Sequence, residues 1–266
     1  MATGSASTRW ADELAAWTID PEILAAAPES PYGFPPALFA AGQHIGPTPL
    51  QQRAAPALRP GGTLLDVGAG AGAASLDLVP AGGHLHAVDS QPTMLAALAA
   101  DARSRGLAVT TYDGAWPDVA ERVPVCDVVV SAHVLYNVPD LRPFAAALTA
   151  HAGDLVVVEL TGTHPLTRLA PMWEAVHHQP RPDGPTADLA VAVLRECGIE
   201  PEVIEMQLEP LTRTGELAET WTDFTRRQLC LPPERRPEVE ELMRRHPARP
   251  RRVVVLAWPG TGNLTG

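Results

Sequence analysis

The run Leu64-Leu65-Asp66-Val67-Gly68-Ala69-Gly70-Ala71-Gly72 takes an apolar strand through an acid into three alternating glycines. Glycine has no Cβ, so this alternation lets the backbone turn tightly and bring its amides against a ligand. The following residues, 73–79, are expected to form a helix whose N-terminal amides face a polar or anionic group. Two cofactor classes use such a turn. A dinucleotide fingerprint needs glycines at relative positions one and three and Gly or Ala at six, which Gly68, Gly70 and Ala73 supply. The glycines alone therefore leave the cofactor open. Asp66 stands two residues before the first of them, where a dinucleotide site ordinarily has an apolar side chain, and a carboxylate there suits a cationic ligand group.

Outward from this turn, the apolar pattern alternates strand and helix. Strands are expected at 63–67, 84–88, 108–112, 127–131 and 155–160, with helices at 92–105 and 141–152. The runs Val128-Val129-Val130 and Val156-Val157-Val158 read as strands buried on both faces. Such alternation predicts right-handed crossovers and an α/β architecture with a parallel sheet covered on both sides. Further helices are expected around 171–178, 187–197, 214–229 and 233–245, and further strands at 202–208 and 253–258. Residues 8–58 carry two or three short helices, among them 8–18 and 50–58, separated by Pro-rich joints at 28–36 and 47–49. The expected organisation is a helical N-terminal extension or cap over 1–60 and one domain over 61–266, with a helical insertion at about 211–250.

Taken with Asp66 and Gly72, the glycine stretch resembles the first motif of class I S-adenosylmethionine-dependent methyltransferases, whose acid-x-Gly-x-Gly-x-Gly pattern is complete here. The resemblance covers about 61–160. It implies a Rossmann-like fold with a seven-stranded, mostly parallel sheet ending in an antiparallel sixth and seventh strand, and S-adenosyl-L-methionine as cofactor. The family places an acid on the ribose hydroxyls at the end of strand two, which matches Asp89, 17 residues after Gly72. A dinucleotide fold would use Asp89 in the same way. Asp113-Gly114 follows strand three, where the family commonly has an acid contacting the adenine amino group. The implied cofactor set is Asp66, Gly68, Ala69, Gly70, Gly72, Asp89, Ser90, Met94, Asp113, Gly114, Ala132 and His133.

Asp127 opens strand four, and Ser131-Ala132-His133-Val134-Leu135-Tyr136-Asn137-Val138-Pro139 follows it, resembling the post-strand segment of small-molecule methyltransferases. The N-P-P-Y-type motif used on nucleobase and amide nitrogens is absent. Strand ends at the carboxyl edge of an open parallel sheet line the ligand crevice. His133 and Tyr136 are therefore candidates to face the donor or the acceptor. Strand five ends in Glu159-Leu160-Thr161-Gly162-Thr163-His164-Pro165, which brings Glu159 and His164 to the same edge. An unperturbed His is suited to take a proton near neutral pH, and the candidate catalytic residues are His133, Tyr136 and His164. Met172 and Trp173, on the next helix, fit either a pocket wall or the core.

Methyl transfer from a sulfonium is an in-line displacement, and aligning the reactants contributes roughly 7 to 11 kcal/mol. A base is needed only where the acceptor must lose a proton. The resemblance implies a small or medium-sized acceptor, and O- or N-methylation is expected over C-methylation on general grounds. Three other readings use parts of the same sequence. A macromolecular methyltransferase would exploit the arginines at 226–252, an NAD(P)-dependent oxidoreductase would use the glycine turn, and a binder would keep the cofactor pocket without turnover.

Composition narrows the field. The chain has 266 residues and a formal charge of −11, which weighs against nucleic acid as partner. Its 20 basic residues are all Arg, so lysine-based chemistry is excluded. Nine of them fall within 226–252 against four acids, a local +5 that leaves −16 for the remainder. Cys126, Cys197 and Cys230 are an odd, scattered set that fits neither a disulfide framework nor a zinc site. His84 with His86, and His177 with His178, are the only close histidine groups, so no metal is expected. No apolar run reaches membrane-span length, and residues 1–10 lack a basic stretch followed by an apolar core. The expectation is a cytoplasmic monomer or homodimer.

Overall fold

The computed structural model describes residues 4–42 and 46–263. Residues 1–3, within the stretch read for a leader, lie outside the described residues. Seven strands form one sheet: β1 (Thr63–Val67), β2 (His84–Asp89), β3 (Ala108–Asp113), β4 (Cys126–Ala132), β5 (Ala152–Thr161), β6 (Glu202–Leu208) and β7 (Arg251–Pro259). Their order is β3-β2-β1-β4-β5-β7-β6. β1 to β5 pair in parallel, and β7 runs antiparallel to both β5 and β6. β7 alone is therefore reversed, and β6 runs with the first five strands. The chain moves outward from β1 to β3 and then returns to place β4 on the other side of β1, which opens a crevice at the carboxyl ends of β1 and β4.

The central strands are apolar on both faces because helices cover both. Leu65 and Val67 face α5 (Leu141–His151), α7 (Ala187–Glu196) and Trp10, whereas Leu64 faces α3 (Pro49–Ala54) and α4 (Pro92–Ser104). Val128 to Val130 and Val156 to Val158 are fully buried, as their β-branched runs predict. A third apolar cluster holds α6 (Ala170–His177) to α9 (Arg236–Arg245) through Met172, Trp173, Val239 and Leu242. Trp173 is thus a core residue. No helix among the described residues is long and apolar enough to cross a membrane.

The helix expected over 73–79 is not formed. Turns occupy this stretch, with a single 3-10 turn at Leu76–Leu78. Gly72 stands at φ 90° and Pro80 closes the segment, leaving seven residues, fewer than two α-helical turns. The Leu76 amide reaches back to the Gly72 carbonyl (3.1 Å), but the Leu78 amide takes the shorter 3-10 bond to Ser75 (2.9 Å). The residues that follow the glycine turn therefore supply no helix N-terminus to it, and the turn is held instead by bonds to Val88 and Asp89.

The segments before β1 are tied down at several points. α1 (Ala6–Ala15) meets α7, where the Glu196 carboxylate accepts from the amides of Ala6 (2.6 Å) and Ser7 (3.0 Å). Trp10 is fully buried and its indole N–H donates to the Val138 carbonyl at 2.8 Å. At α3, Thr48 and Gln51 form a reciprocal capping box with Pro49 in the first turn. The segment leading into α3 also meets α8 (Gly215–Gln228), where buried Arg226 pairs with Glu29 (2.5 Å) and Asp223 (3.0 Å). Phe34, Phe39 and Phe224 pack with ring centroids 5.4 to 6.1 Å apart. The N-terminal segment and the α8 region are joined in one cover.

Candidate functional site

The glycine turn is held to β2 by its own backbone. The amides of Gly68 and Ala69 both donate to the Val88 carbonyl, at 2.8 and 2.9 Å, and Ala69 is buried. Gly72 donates to Ala69 (3.0 Å) and forms an antiparallel bridge with Ala40, so the N-terminal segment crosses the turn. Gly70 differs from its neighbours in having open space. It stands at φ 53°, and a Cβ there would meet only Phe39 Cβ, at 4.0 Å. Its amide donates to Asp89 Oδ2 at 2.8 Å, while Asp89 Oδ1 accepts from the Gln91 amide at 2.8 Å. A carboxylate offers about four lone-pair sites, so Asp89 keeps acceptor capacity for a ligand while it holds the turn.

Below the turn, Asp66 is fully buried and neither carboxylate oxygen has a hydrogen-bond partner. The Ser75 hydroxyl is likewise buried without a partner. Burial pushes the Asp66 carboxyl up to about 7, opposed by nearby Ser75 and reinforced by the Asp89 charge. A closed-off, unpaired carboxylate costs free energy unless a cation or donor meets it. The site therefore fits a ligand that carries a positive group beside hydroxyls. Asp113 ends β3 in register with Asp89 and is exposed; the Gly114 amide donates to the Asp89 carbonyl at 3.0 Å. Ser90 is exposed beside Asp89, and Met94 is buried in α4. The ends of β1, β2 and β3 thus meet around one crevice.

At the end of β4, Ala132 pairs in register with Glu159, and His133 leaves the strand at φ 60°. A non-glycine residue in this left-handed region is uncommon and needs local support. Glu159 supplies it twice: its carbonyl accepts from the His133 amide (2.7 Å), and its Oε1 lies 3.2 Å from His133 Nε2. The Glu159 side chain is 6% exposed and that of His133 36%, so the acid is buried and the imidazole faces outward. Burial acts to raise the Glu159 carboxyl, but His133, the Leu50 amide (3.0 Å) and Arg251 outweigh it and hold it below the usual carboxylate range. With Nε2–H donating to Glu159, His133 Nδ1 is left as an acceptor.

Tyr136 and His164 lie apart from this pair. The Tyr136 hydroxyl donates to the Thr161 carbonyl at 2.6 Å, and its ring stacks on Trp10 at 5.5 Å. His164 stacks on Trp17 at 4.0 Å and meets Tyr136 edge-on at 5.3 Å. Burial, with Arg181 nearby, lowers His164 to about 4, and burial raises the Tyr136 hydroxyl. Together with α1 they line a hollow of about 240 Å³.

Residues 65–154, from β1 into β5, match the family model of a methyltransferase domain. Over these residues the chain is similar to methyltransferase domains. No curated protein matches the chain by sequence. Among solved structures, the domain is similar in fold to a protein studied for the conversion of a disulfide bond into a thioacetal group during echinomycin biosynthesis. The identity is 18%, the coverage 90% of this chain and 91% of that one, and the TM-score 0.56. TehB from Haemophilus influenzae aligns at 13% identity over 83% and 64% of the two chains, TM-score 0.53. A candidate sarcosine dimethylglycine methyltransferase from Galdieria sulphuraria aligns at 15% over 79% and 82%, TM-score 0.51.

Some residues around the site carry no motif. Phe39 lies nearest Gly70, and Val134 packs so closely on Gly68 that a Cβ there would overlap it. Arg168, Arg213 and Arg251 gather near Trp221 and Glu159 from three separate segments. Most arginines of the 226–252 stretch are neutralised within the chain. Arg226, Arg235, Arg236, Arg244, Arg245 and Arg252 all pair with carboxylates.

Proposed function

We propose that the protein transfers a methyl group from S-adenosyl-L-methionine to an oxygen or nitrogen of a small or medium-sized molecule. The observation that carries this reading is Asp66, a buried carboxylate without a partner directly before the glycine turn, where a nicotinamide dinucleotide site would be apolar. When bound, the cofactor supplies an electrophilic methyl on a sulfonium. Asp66 would offset the positive charge of its amino-acid end, directly or through water. Asp89 would accept the ribose hydroxyls with the capacity left by Gly70 and Gln91, and Asp113 would meet the adenine amino group.

His133 is the residue we assign to take the acceptor's proton, at Nδ1, as the acceptor attacks. The ionised Glu159 carboxylate would hold the imidazole in one tautomer and stabilise the imidazolium that forms. Tyr136 and His164 are assigned to the wall behind it, since the hydroxyl is engaged by Thr161 and the imidazole is packed between aromatic rings. The N-terminal extension and the insertion together would cover the acceptor side, as the contacts among Phe34, Phe39 and Phe224 suggest. A small acceptor fits the pairing of most C-terminal arginines within the chain, which leaves little charge for a polyanion.

Isothermal titration tests the cofactor. S-Adenosylhomocysteine should bind and NADH should not, and the reverse preference would overturn the reading. Asp89→Ala should weaken S-adenosylhomocysteine at least about tenfold, since a hydrogen bond to a charged group is worth about 1.5 to 3 kcal/mol. Unchanged affinity would remove Asp89 from the site. Transfer of radiolabelled methyl into extracted metabolites would then identify the acceptor.

A further inference from the structure

Beyond the end of β5, three arginines from distant segments face one another. Arg168 lies in the 3-10 turn Pro165–Leu169, Arg213 precedes α8, and Arg251 opens β7. The guanidinium carbons of Arg168 and Arg213 stand 4.4 and 4.0 Å from the centre of the Trp221 ring. Arg168 also donates to Gln228 Oε1 at 2.6 Å. Arg251 is close enough to repel both, and close enough to Glu159 to be attracted by it.

None of the three forms an ion pair among the described residues. The contrast with adjacent Arg252 is direct, because Arg252 is bound by Asp188 (2.7 Å) and Glu205 (2.6 Å). Desolvation lowers all three, and Arg168, with Arg213 and Arg251 beside it, comes down to about 9. An arginine keeps its proton in a protein, so this cost stands as unmet positive charge. The indole offsets part of it, but a ring quadrupole is a weak substitute for a counter-ion. Arg168 and Arg251 are exposed and Arg213 is partly exposed, so all three can be reached by a solute.

We infer that Arg168, Arg213 and Arg251 bind an oxyanion of the methyl acceptor, a carboxylate or a phosphate, with the acceptor's apolar body against Trp221. The inference rests on the methyltransferase reading for the word acceptor, and on the arginine geometry for the anion. Planar guanidinium groups suit such oxyanions because they donate in pairs. From Trp221 the aromatic wall continues through Phe224, 5.9 Å away, to Phe39 beside Gly70. Arg251 in turn neighbours Glu159, the partner of His133. An acceptor held by its anion at one end therefore extends toward the candidate base and the glycine turn.

The test uses the full chain, with and without saturating S-adenosylhomocysteine, titrated with benzoate, phenyl phosphate and benzamide. Either anion should bind about tenfold or more tightly than neutral benzamide, and the preferred one distinguishes carboxylate from phosphate. Arg213→Gln, in an irregular segment, and Arg168→Gln should each lower that affinity about tenfold with S-adenosylhomocysteine affinity unchanged. Equal binding of benzamide and both anions, or anion affinity that survives both substitutions together, would overturn the site. Failure of S-adenosylhomocysteine to bind would count against the methyltransferase reading, and the anion titrations without it would still decide the arginine site.

Discussion

Asp66→Asn is expected to raise the melting temperature of the ligand-free protein while weakening S-adenosylhomocysteine. The carboxyl stands at 3.8 in the unfolded chain and at about 7 in the folded one. Below pH 3.8 both states hold the proton and the group has no effect. Between pH 4 and 7 the unfolded chain has released it and the folded protein has not, so stability falls as pH rises and levels off above 7. At about 1.4 kcal/mol per pH unit, the burden at pH 8 is on the order of 4 kcal/mol. Removing the charge lifts that burden, and Ser75 is placed to bond the new amide. Melting curves from pH 4 to pH 8 should show the variant gaining most at pH 8 and almost nothing at pH 4. Titration at pH 8 should show the affinity loss. A variant less stable than wild type throughout would mean that Asp66 is satisfied in the free protein.

Gly68→Ala should fail in the opposite manner, losing both stability and cofactor. Gly68 stands at φ 73°, a conformation that costs an L-residue about 1 to 2 kcal/mol. Its added methyl would also overlap Val134 Cγ2, and overpacking of this kind costs about 1 to 3 kcal/mol. Together these give about 2 to 5 kcal/mol, or a melting temperature lower by on the order of 10 °C. Val134 follows His133, so relief of the overlap would displace the candidate base and the turn together. Thermal denaturation and S-adenosylhomocysteine titration check this. Gly82→Ala is the comparison, with a similar φ of 70° and nothing within 4 Å of its Cβ. If Gly68→Ala cost no more than Gly82→Ala, Val134 would not be packed as described.

The strands were legible from the chain because each depends on a short local pattern. β1 and β6 begin and end where the apolar runs predict, and β4 and β5 extend theirs only by a few residues. The glycine turn and its acids were legible for a similar reason, since β1, the turn and Asp89 are close in sequence. The error at 73–79 also has a local cause. Apolar spacing there is compatible with a helix, but Gly72 and Pro80 leave too little length for one.

Other relationships had no local trace. Arg226 and Arg252 look alike in sequence to Arg251, yet the first two meet carboxylates from Glu29, Asp188 and Glu205 and the last does not. Whether a charge is paired depends on residues far away along the chain, so the count of arginines at 226–252 does not say which of them are free. The pairing of His133 with Glu159 is likewise a product of β4 and β5 lying side by side in one register.

By itself, then, the sequence determined the α/β architecture, the glycine turn and the acids at the ends of the first three strands. Backbone propensity, apolar period and the steric freedom of glycine all act over a few residues, and they can be read in order along the chain. Only the tertiary structure decided that Asp66 is buried without a partner, that Glu159 meets His133, and that Arg168 and Arg213 share the Trp221 ring with Arg251 nearby. Burial and charge compensation are set by which segments meet in space.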